Sequence, residues 1–296
     1  MVIDPAGLRR AMGRGPRAPL AAGRQSRPGP PSGGLCRFRG LTIDTTATLL
    51  LLAGAAFAAG VLNAIAGGGS FLTFPALVFA GVPPISANAT SALAVSPGYL
   101  GSTLGFAAEL KALPAARLRQ EMLIAALGGV AGALLLLVTP AKVFSGIVPW
   151  LLLFATAVFA AGPAIARRAP GWSGSAEGLA RWRPAGLFGV AVYGGYFNGG
   201  LGILLMALYT VTGETRLNTT NALKNLCSLV LSWLSVAAFV VAGVIAWRHG
   251  LLMMVAATAG GFLGARWARR LPVAWVRALV IATGLGMSAL FFLRMS

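Results

Sequence analysis

The residues in this chain that suit chemistry are amides, glycines and one lysine. Residues 60–93, GVLNAIAGGGSFLTFPALVFAGVPPISANATSAL, carry no charge and read as membrane-embedded, yet Gly67, Gly68 and Gly69 interrupt them, followed by Ser70 and then by Pro83-Pro84. The same stretch holds Asn63, Asn88, Thr90 and Ser91, and a later block offers Asn198, Gly199, Gly200, Gly202, Asn221, Lys224 and Asn225. Lipid cannot satisfy loose backbone groups, so a broken apolar segment belongs inside a bundle or beside a water-filled cavity. A helix starting after Gly69 or Gly202 presents free N–H groups and the positive end of its dipole, which suits an anion. Glycine lets a ligand approach that backbone closely, and the Asn, Ser and Thr side chains add neutral donors. The competing reading is close helix packing by small residues; it fits Thr90 and Ser91 better than the glycine clusters or the pair Asn88 and Asn221. Lys224 is the one basic residue inside the repeated core, at NALKN (221–225). It either marks a substrate path or snorkels to the interface.

Other chemistries lack their residues. The single histidine, His249, sits beside Arg248 in a short loop, and Cys36 and Cys227 form neither a disulfide framework nor a metal motif. Asp44, Glu109, Glu121 and Glu214 are expected at segment ends, so a carboxylate proton relay is poorly supported. No phosphate-binding loop of the form G-x-x-x-x-G-K-[ST] is present. The expectation is a protein that is not an enzyme, with no catalytic residues, metal or cofactor.

The elements that must position these residues follow from composition. Of 296 residues, 57% are hydrophobic and 10% charged, with a mean hydropathy of +0.80, against about 25% charged in a soluble domain. Several uncharged runs exceed the roughly 18–20 residues that cross a bilayer. The chain therefore reads as an all-α polytopic protein of the cell (inner) membrane. Ten apolar segments are expected, roughly 44–66, 70–82, 86–108, 121–139, 143–166, 184–200, 201–213, 218–247, 250–268 and 273–293, giving about 8–10 spans and half-helices. The second and seventh are too short to cross. Residues 1–43 read as a basic tail, with eight Arg among the first 40 residues against Asp4; disorder or a misplaced start codon explains it. The net charge of +18 lies in that tail and in short loops, where it fixes orientation, and not on a nucleic-acid-reading surface.

The polar connection 167–183 divides the chain into halves, 44–166 and 184–296, that share a pattern. Gly67, Gly69, Leu72, Asn88, Ala89 and Leu93 recur 133 positions later as Gly200, Gly202, Leu205, Asn221, Ala222 and Leu226. Gly128, Gly129, Gly132 and Pro140 recur 132 positions later as Gly260, Gly261, Gly264 and Pro272. Equivalent loops exchange charge: Lys111, Arg117 and Arg119 stand against Arg248, and Lys142 against Arg266, Arg269, Arg270 and Arg277. Two repeats of five segments, inverted relative to each other, account for that exchange, although the basic tail opposes the resulting orientation. The small-residue faces GGVAG (128–132) and GGFLG (260–264) suit packing within a monomer or between monomers of a homo-oligomer.

Residues 60–93 resemble the first repeat of the sulfite exporter TauE/SafE family of membrane permeases, and YFNGGLGILLMAL…NTTNALKNL (196–226) resembles its second. The likeness runs from about residue 45 to the C-terminus. The family's G-x-G-G-G pattern is met imperfectly, as AIAGGG and as NGGLG. The resemblance implies a multi-pass permease for small anions, often sulfite, organosulfonates or related sulfur compounds. The membrane potential, about 2.3 kcal/mol per charge per 100 mV, favours exit of such an anion from a negative-inside cell. The alternative is a non-transporting assembly factor or scaffold whose breaks serve packing alone.

Overall fold

The computed structural model describes residues 45–168, 179–214, 216–267 and 273–295. These form helices and connecting turns, with no strand among the described residues. The tail and most of the 167–183 connection lie outside them.

In the N-terminal half, α1 (Thr45–Ala66) leads through Gly67–Gly69 into the short α2 (Ser70–Phe79), then α3 (Pro84–Gly105), a five-residue α4 (Ala107–Lys111), α5 (Ala115–Val138) and α6 (Ala141–Arg168). In the C-terminal half, α7 (Arg183–Tyr196) leads through residues 197–200 into the short α8 (Leu201–Val211), then α9 (Leu217–Val241), α10 (Trp247–Trp267) and α11 (Val273–Met295). Pro83 precedes α3 and Pro114 precedes α5; proline's fixed φ and missing N–H suit a helix start. Thr46–Ala64, Ala115–Val138, Ala141–Gly162 and Leu217–Val241 are each long and apolar enough to cross a bilayer, and Ser70–Phe79, Leu201–Val211 and Val280–Leu293 are shorter apolar helices.

The expected segments and the helices differ most at three places, one of them the segment expected over 218–247, which ends at Val241 before a turn leads into Trp247. The helix expected from 121 begins at Ala115, because Arg117, Arg119 and Glu121 read as loop charges yet form its first two turns. Glu121 is therefore not at a segment end. It is 4% exposed, accepts hydrogen bonds from Tyr209 Oη at 2.6 Å and Arg117 Nε at 3.1 Å, and Arg117 Nη2 reaches Glu214 at 2.9 Å. The segment expected to run to 108 ends at Gly105, where Phe106 turns the chain into α4.

Helices of one half pack mainly on helices of the other. α1 lies on α10 and α7 on α5; α3 contacts α10 and α9 contacts α5; α2 meets α11 and α8 meets α6; α3 pairs with α9 and α6 with α11. The glycine-rich faces are consumed within the chain. A Cβ on Gly60 would strike the Ala257 carbonyl, one on Gly260 the Phe57 carbonyl, one on Gly132 the Val192 carbonyl and one on Gly195 the Gly129 carbonyl. These are the close backbone approaches that small residues permit between membrane helices. The described residues hold two buried apolar clusters, a large one spanning both halves and a smaller one around Leu187, Leu205, Tyr209, Cys227 and Leu231.

Candidate functional site

The two breaks meet. Gly67 adopts φ +78° and Gly200 φ +75°, a left-handed conformation open mainly to glycine. At Gly67–Gly69 the chain folds back so far that a Cβ on Gly69 would lie 2.6 Å from the Ala59 carbonyl. Across the contact, a Cβ on Gly202 would lie 2.8 Å from the Gly67 carbonyl. Gly67, Gly68, Gly69, Ser70, Gly199, Gly200 and Gly202 are all buried.

Beside this junction lies an open-sided cavity of about 540 Å³ between α1, α3, α9 and α10. Four of the residues singled out from the sequence line it: Asn63 from α1, and Asn221, Lys224 and Asn225 from α9. α9 delivers its three from one face because positions i, i+3 and i+4 are neighbours on a helix. Small residues of α3 and α1 (Gly60, Ala64, Gly98, Gly101 and Gly105) leave the room. Ser102 and Thr258 add hydroxyls, and Phe106 and Phe262 add aromatic wall.

Lys224 is 7% exposed. Its Nζ lies 3.5 Å from where a Gly67 Cβ would stand, so the second half places its cation against the first half's break. No hydrogen bond or ion pair to Lys224 occurs among the described residues. Glu214, the acid nearest in sequence, is committed to Arg117. An ammonium held out of water is costly unless it meets an opposite charge. The cavity thus holds one unneutralised positive charge and three side-chain amides, with no carboxylate on its wall. Asn221 uses its Nδ2 on the Leu217 carbonyl of its own helix at 3.1 Å.

The other singled-out residues lie away from the cavity wall. Asn88 is 2% exposed; its Nδ2 donates to the Tyr196 carbonyl at 3.0 Å, and its Oδ1 accepts from the Asn198 backbone N–H at 3.4 Å. Thr90 accepts from the Ala246 backbone N–H at 3.0 Å. The Asn198 side chain is buried, and neither of its polar atoms has a hydrogen-bond partner among the described residues. The glycines of both breaks shape the junction but do not reach the cavity surface. Sequence reasoning passed over Gly98, Gly101 and Gly105, whose spacing of three and four puts them on one helical face.

No group of three or more His, Cys, Asp or Glu side chains that could hold a metal occurs among the described residues.

Comparison with known proteins gives this architecture its relatives. Residues 52–291 match the family model for sulfite exporter TauE/SafE. A Sinorhizobium sp. protein named "Probable membrane transporter protein ORF9" is 30% identical over 246 residues, 79% of this chain and 88% of that protein. A Haemophilus influenzae "Probable membrane transporter protein" is 29% identical over 243 residues, 79% of this chain and 90% of that one. The Escherichia coli K12 "Probable membrane transporter protein YfcA" is 28% identical over 266 residues, 85% of this chain and 92% of its own. No solved structure matches. With its apolar helices and a family match spanning most of its length, the chain is a multi-pass membrane transporter belonging to the TauE/SafE sulfite exporter family.

Proposed function

We propose that this protein is a secondary permease that exports small anions, namely sulfite, organosulfonates or related sulfur oxyanions, through the cavity between α1, α3, α9 and α10. One observation carries the reading: Lys224 is a buried cation without a counter-ion among the described residues, on the wall of a cavity that also offers Asn63, Asn221 and Asn225. In low dielectric such a charge attracts an anion strongly, and the amides supply hydrogen bonds to its oxygens. The absence of a wall carboxylate keeps the site from favouring a cation. Release is helped by the membrane potential, which drives a monovalent anion outward by about 2.3 kcal/mol per 100 mV.

The two breaks serve this site as its scaffold. Gly67 and Gly202 allow the halves to touch, and the touch brings Lys224 to Gly67. We further read 44–166 and 184–296 as two repeats related by a pseudo-two-fold axis and inverted in the membrane. The contact pattern supports this, since nearly every pairing of a helix from one half has its exchanged counterpart, as α1 on α10 is matched by α7 on α5. Transporters built in that way commonly bind substrate where interrupted helices of both repeats meet.

The test is flux from proteoliposomes across a panel of sulfite, sulfate, sulfoacetate, taurine and small carboxylates. The permease reading expects saturable, anion-selective movement with sulfite or a sulfonate preferred. Absence of flux for every anion would refute it and favour a scaffold.

A further inference from the structure

We propose that the packed region between α3, α5, α7 and α9 is the second, closed end of the permeation path, and that the Asn198 amide and Ser228 hydroxyl are the anion's contacts there. This rests on the permease reading and on the two repeats, and it names the other half of the same site.

The correspondence between the halves locates the region. G-V-L-N (60–63) matches G-Y-F-N (195–198), so Asn63 on the cavity wall corresponds to Asn198. Asn221 corresponds to Asn88, Val95 to Ser228, Gly98 to Leu231, Ser102 to Ser235 and Gly261 to Gly129. The counterparts are gathered as the cavity residues are. Asn88 accepts from the Asn198 backbone and donates to Tyr196, Ser235 donates to the Gly129 carbonyl at 3.0 Å, and Leu231 lies against Gly129 and Gly194. The difference is volume. Where α3 offers Gly98 to the cavity, α9 offers Leu231, fully buried, and the space is filled.

Polar groups survive inside that filled region without partners. Asn198 is 3% exposed and Ser228 0%, and Asn198 Oδ1, Asn198 Nδ2 and Ser228 Oγ have no hydrogen bond among the described residues. Buried polar atoms are nearly always paired, and the unpaired exceptions here stand where the mirror region admits solute. A partner that arrives only when Leu231 swings aside accounts for them. Ser228 follows Lys224 by one turn of α9, so an anion leaving the ammonium finds it next on the same helix face. Both new contacts are neutral donors. An oxyanion passes to them from a charge and is held more weakly, which suits an exit.

The experiment uses the full chain in proteoliposomes with sulfite as the probe. Asn198→Leu loses no hydrogen bond from its side chain. Its melting temperature in detergent is expected to be maintained while sulfite flux falls about tenfold or more, the ratio of one lost contact. Flux equal to the parent's, or a flux loss accompanied by a lower melting temperature, overturns the assignment. Ser228→Cys and Thr258→Cys, each in a background lacking Cys36 and Cys227, give a second readout. During sulfite transport a membrane-impermeant thiol reagent should label position 258 from one membrane face and position 228 from the other. Labelling of 228 from the same face, or from neither, also overturns it. Parent protein without sulfite flux would defeat the permease reading itself; parent flux with an unaffected Asn198→Leu variant defeats only this inference.

Discussion

Under the proposed two-repeat reading, two regions of this bundle are made of corresponding residues and end up differently. Around Lys224, helices α1, α3, α9 and α10 border a cavity of about 540 Å³. Around Asn88, helices α3, α5, α7 and α9 close on one another. Nearly every helix pairing has an exchanged counterpart, so on that reading the difference lies in side chains. Gly98 faces the open region and Leu231 the closed one; Lys224 lies in the open region where its counterpart Ser91 bonds Thr73 at 2.6 Å. The closed region is also clamped. Glu121, Tyr209 and Arg117 join α5 to α8, where the corresponding residues of the other half are Met253, Ala76 and His249. Both halves contribute to each region; in one their side chains fill and clamp the space, and in the other they leave it open.

That contrast is open to attack by substitution, the largest effect coming at the clamp. Arg117→Met leaves the buried Glu121 carboxylate facing only Tyr209, and about 3 kcal/mol or more of stability is expected to go, read as a lower melting temperature in detergent. Leu231→Ala empties a packed position, at a cost of about 2–5 kcal/mol for a buried leucine; the reverse change, Gly98→Leu, should fill the cavity and stop flux while the protein stays folded. The corresponding pair Asn88 and Asn221 then separates the regions at fixed chemistry. Asn88→Leu orphans the Tyr196 carbonyl across the contact between halves and should cost about 1–3 kcal/mol in thermal unfolding. Asn221→Leu loses only a bond to its own helix and should change stability by about 0.5 kcal/mol or less, while reducing anion flux. Equal stability losses for the two would erase the proposed division of labour.

Much of this was legible from residue order. Apolar runs broken by glycine and proline marked the helices, because hydrocarbon tolerates little else. Asn63, Asn221, Lys224 and Asn225 announced themselves as polar groups in uncharged surroundings, and the cavity gathers all four. Other features resisted. The start of α5 was hidden because Arg117, Arg119 and Glu121 resemble loop charges until Tyr209 and Glu214, from distant segments, are brought to them. The break glycines were read as ligand-facing, and the structure presses them against each other and against Ala59. The openness of one region and closure of the other depends on side-chain volumes summed across four helices. No single stretch of sequence carries that sum.

The most direct test of the account is sulfite efflux by Lys224→Met, which keeps the aliphatic stem and removes the charge. A charge-assisted contact contributes about 1.5–3 kcal/mol, so flux at sub-saturating sulfite is predicted to fall roughly ten- to hundred-fold. Because the ammonium has no partner to lose among the described residues, the melting temperature should hold or rise. Flux unchanged from the parent would contradict the claim that Lys224 is where this transporter meets its anion.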